Sequence, residues 1–90
     1  MINVETINST TYKVTVSKGT TTTHTVTVSP SYYEKLTNKR VKPEDLVERS
    51  FEFLLKRESN TSILRSFDLP VISRYFPEYE STIRDMLESG

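Results

Sequence analysis

Between Thr11 and Val28 the chain alternates with a period of two, and at Ser29-Pro30 that alternation stops. Tyr12, Val14 and Val16 fall on one side of an extended segment, and Lys13, Thr15 and Ser17 on the other. Lys18-Gly19-Thr20 supplies a turn in which Gly19 is free to take positive φ. On the return, His24, Val26 and Val28 share one side, and Thr23, Thr25 and Thr27 the other. This pattern predicts an antiparallel hairpin with one apolar face and one threonine-rich face. A hairpin alone is marginal in water, so the apolar face must be covered. Ile2, Val4 and Thr6 also alternate, which leaves residues 2–7 open as a third strand before a turn at Asn8-Ser9-Thr10.

After Pro30 the apolar spacing becomes helical. Ser29 as N-cap and Pro30 at the first helical position start a short helix through Tyr32, Tyr33 and Leu36, ending near Asn38. Pro43-Glu44-Asp45 opens a second helix, with its acids at the positive end of the dipole. Leu46, Val47, Phe51, Leu54 and Leu55 form its apolar stripe, and Glu58-Ser59-Asn60 stops it. Thr61 or Ser62 is expected to cap a short turn carrying Ile63, Leu64 and Phe67. Asp68 is expected to cap a further helix holding Leu69, Val71, Ile72, Tyr75 and Phe76. Pro77-Glu78 opens the last helix, with Tyr79, Ile83, Met86 and Leu87 at helical spacing. The expected fold is therefore α+β: an N-terminal hairpin region (1–29) packed on three to four short helices (30–90) within one domain of 90 residues.

Apolar residues make up 34% of the chain, and much of the remainder is Thr and Ser, so the core is expected to be lean and open to completion by a partner or a second copy. The net charge is zero but unevenly distributed. Residues 1–42 carry six cations against two anions (+4), and residues 43–90 six against ten (−4). The absence of cysteine excludes disulfides, thiolate catalysis and zinc–thiolate sites. No signal-peptide pattern opens the sequence, and no apolar run reaches the roughly 18 residues of a membrane span, so a cytoplasmic protein without membrane contact is expected.

Little in the chain suggests chemistry. His24 is the sole histidine, its neighbours are threonines, and its expected place is a partly exposed rim near the hairpin turn. The carboxylate pairs, such as Glu48 and Glu52, lie at helix starts or on polar helix faces, where dipole and solubility roles suffice. With glycine only at positions 19 and 90 there is no phosphate-cradling loop. No catalytic residue, metal site or cofactor is expected.

Two surfaces could bind a partner. Lys35, Lys39, Arg40 and Lys42 lie just beyond Tyr32 and Tyr33, a combination that can hold a nucleic-acid backbone and stack on exposed bases. A neutral chain argues against that use and for a solvated connector. Phe53 lies well off the apolar stripe of the second helix. It either faces a partner, with Tyr33 or Tyr79 as fellow anchors, or lies beneath the C-terminal segment.

The run Asp45-Leu46-Val47-Glu48-Arg49-Ser50-Phe51-Glu52-Phe53-Leu54-Leu55-Lys56-Arg57-Glu58, followed by Ser62 to Leu69 and by Ile72 to Tyr79, resembles a group of short uncharacterised prokaryotic proteins with an N-terminal hairpin and a helical C-terminal half. The resemblance spans about residues 10–85 and is sharper in the second half. It implies a prokaryotic cytoplasmic protein and transfers no functional residue. The first expectation is thus a non-enzymatic module that binds another protein or its own copy, as a homodimer. The second is a nucleic-acid-binding or regulatory domain.

Overall fold

The hairpin forms the middle of a four-stranded sheet. The computed structural model describes residues 1–89. In chain order the elements are β1 (Ile2–Thr6), β2 (Thr11–Lys18), β3 (Thr20–Thr27), α1 (Pro30–Thr37), α2 (Pro43–Leu55), one 3-10 turn (Asn60–Ser62), β4 (Ser66–Asp68), α3 (Val71–Tyr75) and α4 (Tyr79–Ser89). The sheet order is β1-β2-β3-β4. The first three strands run antiparallel, and β4 lies parallel to β3.

Register follows the alternation. Tyr12 pairs with Val26 and Val14 with His24, so both apolar faces coincide and are buried. Gly19 takes φ 80° at the tip. Residues 2–6 do join the sheet, with Val4 opposite Val14. The other face, carrying Asn3, Glu5, Lys13, Thr15, Thr23 and Thr25, has no covering layer. The helices all lie on the apolar side, which makes a two-layer molecule.

Local chemistry sets the helix ends. Ser29 Oγ accepts from the Tyr32 amide at 3.3 Å, and the chain leaves α1 through Asn38 in the left-handed region at φ 56°. Glu44, in the first turn of α2, accepts from Thr6 Oγ1 at 2.7 Å and ties that helix to β1. This bond, ahead of smaller contributions, holds the Glu44 carboxyl below the usual range.

The stretch expected as a capped turn at 62–67 contains a strand instead. Ser66, Phe67 and Asp68 pair with Thr25, Val26 and Thr27, after a crossover through α1 and α2 long enough to permit a parallel strand. Asp68 is not a cap: Pro70 occupies that position of α3 and no side chain caps it. His24 is not a rim residue either. Phe51 and the 60–64 loop cover it, with its ring 5.4 Å from that of Phe51.

Phe53 lies beneath the C-terminal segment. It is 0% exposed and makes edge contacts with Phe76 and Tyr79 at 5.8 and 5.2 Å. The Arg57 guanidinium caps the ring at 3.6 Å. The reason is that α2 is buried on two sides: Phe51 meets His24 and Phe67 of the sheet, with ring centroids 5.4 and 6.1 Å away, while Phe53 and Ser50 meet Tyr79 of α4. The lean composition still closes the core. The Cα radius of gyration, 12.0 Å, is that of a compact chain of this length, and among the described residues no buried side-chain N or O lacks a hydrogen-bond partner.

Candidate functional site

Beside β4 the helical layer leaves a gap. Leu54, Ile63, Phe67 and Ile72 form the floor of a groove of about 320 Å³, with Val71 and Phe76 as walls. Leu64 and Tyr75 stand on its rim, 48% and 67% exposed, and among the described residues are two of the four large apolar side chains left in water. Glu58 is the only charged group in the lining. The groove borders an open sheet edge. The Thr25 amide donates to the Arg65 carbonyl at 2.7 Å and the Leu69 amide to the Thr27 carbonyl at 2.9 Å. By alternation, the main-chain groups of Ser66 and Asp68 point away from β3.

Sequence reasoning marks neither rim residue as a surface: it places Leu64 in a short capped turn and Tyr75 in a helix with Leu69, Val71, Ile72 and Phe76. The available signal was adjacency. Ile63-Leu64 and Tyr75-Phe76 are neighbouring apolar pairs, and in each pair one member turns inward (Ile63, Phe76) and the other outward (Leu64, Tyr75).

The expected interface anchors do not form a surface. Tyr79, like Phe53, is 0% exposed. Ser50 Oγ donates to the Leu46 carbonyl at 2.7 Å, so the Tyr79 hydroxyl, 2.6 Å away, is the donor to Ser50. Burial pushes the Tyr79 phenol well above its ordinary value. Tyr33 is half-buried, and its hydroxyl donates to the Val41 carbonyl. The rings of Phe53 and Tyr79 are sealed inside the fold, and the hydroxyls of Tyr79 and Tyr33 are engaged within it, which leaves only part of the Tyr33 ring at the surface.

The basic cluster is divided. Lys35 and Arg40 line a second groove of about 380 Å³ together with Arg84, whereas Lys39 and Lys42 are exposed elsewhere. Lys35 pairs with Glu80 at 3.4 Å, and Arg84 Nη2 lies 3.5 Å from the Lys35 carbonyl. This groove sits at the C-terminal end of α1, where cations complement the negative end of the helix dipole. Glu80 also accepts from the Tyr32 hydroxyl at 2.8 Å. That bond first, and Lys35 after it, hold the Glu80 carboxyl low, while burial and then Glu80 push the Tyr32 phenol well up.

His24 is fully engaged in the fold. Its Nδ1 lies 2.8 Å from the Leu64 carbonyl and donates to it; Nε2 lies 2.9 Å from Thr22 Oγ1 and, in the neutral ring, accepts from it. Asn60 Nδ2 donates in turn to Thr22 Oγ1 at 3.2 Å and to the Thr20 carbonyl at 2.6 Å. Among the described residues no group of three or more His, Asp or Glu side chains could hold a metal ion, and no helix is long and apolar enough to cross a membrane. Comparison of the chain with protein-family models, curated proteins and solved structures returns no match.

Proposed function

We propose that this is a non-enzymatic protein-interaction module, acting in the prokaryotic cytoplasm as the resemblance in its second half implies. Its docking surface is the groove between β4 and α3. The occupant is an extended apolar segment that adds beside β4, inserts side chains between Leu64 and Tyr75, and places a lysine or arginine near Glu58. The observation that carries the reading is the convergence of two exposed large apolar side chains on one groove next to unpaired main-chain groups. The engagement of both nitrogens of the sole histidine supports the non-enzymatic part.

The test is selection of a displayed random-peptide library on the purified protein. Apolar segments carrying a basic residue should be enriched, and a folded Leu64→Glu/Tyr75→Glu variant should retain none of them. Selection that enriches nothing, or peptides that bind both proteins equally, removes the reading. The competing nucleic-acid reading would rest on Lys35, Arg40 and Arg84. It predicts a salt-dependent mobility shift that disappears when these three are neutralised.

A further inference from the structure

The two remaining exposed large apolar residues, Met1 at 90% and Ile7 at 55%, flank β1, the strand at the far edge of the sheet from the groove. The Met1 amino group donates to the Ser17 carbonyl at 2.8 Å, the Ser17 amide to the Met1 carbonyl at 2.9 Å, and the Ile7 amide to the Thr11 carbonyl at 2.9 Å. Odd-numbered residues from 1 to 7 thus direct their main-chain groups at β2. Those of Ile2, Val4 and Thr6 point out of the sheet. The pairing is continuous from Ile2 to Thr6 without a bulge, the strand holds no lysine or proline, and its single charge, Glu5, is the one protection the edge carries.

We propose that β1 is a self-association edge: two copies join antiparallel about a twofold axis through Val4, forming one eight-stranded sheet. The second copy is the occupant because the strand complements itself in this register. Ile2 exchanges main-chain hydrogen bonds with Thr6 of the second copy, and Val4 with its counterpart. On the uncovered face, Met1 lies opposite Ile7 of the second copy, which takes both from water. The Asn3 amide lies opposite the Glu5 carboxylate of the second copy and donates to it. Sliding by one pleat in either direction breaks this match. One slide sets Glu5 against Glu5, and the other sets Met1 against Glu5. Because β4 is at the opposite end of the sheet, the pair carries two free grooves and can hold a divalent partner by effective concentration.

The experiment is light scattering coupled to size exclusion over a concentration series of the full chain, with Asn3→Lys, Asn3→Glu and the Leu64→Glu/Tyr75→Glu variant beside it. Circular dichroism confirms that each is folded. The wild-type mass should rise with concentration to twice the 10.4 kDa of the chain. Asn3→Lys meets Glu5 twice per pair and should tighten association by about three- to tenfold; Asn3→Glu should weaken it by a similar factor. The groove variant should associate like the wild type. A wild type that stays monomeric throughout overturns the proposal. So does association that both Asn3 variants shift in the same direction, or that the groove variant abolishes. Loss in the groove variant would move self-association to the groove; the other results leave the peptide-binding reading untouched, which is measured separately.

Discussion

The hydroxyl of Tyr79 donates to Ser50 Oγ across the interface of α4 and α2, at a point where neither residue has any exposure. Removing the acceptor should cost more than removing the donor. Ser50→Ala strands a buried phenolic hydroxyl, at about 1–3 kcal/mol, whereas Tyr79→Phe leaves Ser50 still bonded to Leu46. In the double variant no polar group is stranded, so its loss should be well below the sum of the two. Urea denaturation of all four proteins checks this, and strict additivity would show that the bond is not coupled.

Asn60 fastens the loop after α2 to the hairpin through its side-chain amide. Asn60→Ala should lose about 1–3 kcal/mol by leaving the Thr20 carbonyl without its donor. Asn60→Asp should be worse at neutral pH, since a carboxylate would face that carbonyl. The gap between the two should narrow as acid protonates the introduced group. Melting temperatures at neutral and acidic pH give the comparison.

Gly19 has nothing within 4 Å of where a Cβ would stand, so a side chain there meets only the strain of positive φ. Gly19→Ala should cost about 1 kcal/mol and Gly19→Asn less. Equal losses would mean that something other than backbone conformation governs the turn.

Stability should fall at both ends of the pH scale. The depressed carboxyls of Glu80 and Glu44 contribute stability above the ordinary carboxyl pKa, and that contribution is lost as pH falls through their folded values. The raised phenols of Tyr32 and Tyr79 contribute below about pH 10, and that stability is lost as pH rises beyond it. Glu80→Gln should flatten the acid limb, and Tyr32→Phe the alkaline limb. Denaturant midpoints measured against pH would contradict this if Glu80→Gln left the acid slope unchanged.

The hairpin and helices were legible because each has a periodicity long enough to read. Tyr12, Val14 and Val16 mark a face by themselves, and Ser29-Pro30 carries its cap and first-turn signals in two residues. β4 was not legible. A three-residue strand has too little alternation to register, and its pairing with β3 is long-range and parallel. Phe53 was left open because a single stripe assumes a single packing partner, while α2 has two. The groove lay beyond reach for a related reason. Leu64 and Tyr75 look like core until the neighbours that might have covered them are placed.

The parallel pairing of β3 with β4 also sets an order of events during synthesis. All three antiparallel strands are synthesised before the residues that seal β3, so a nascent chain lacks the partner of that ladder until Asp68 has been added. Slow translation across the α2 region would lengthen this window. An unfinished chain thus offers to its neighbours an edge of β3 that the finished fold keeps for its own last strand.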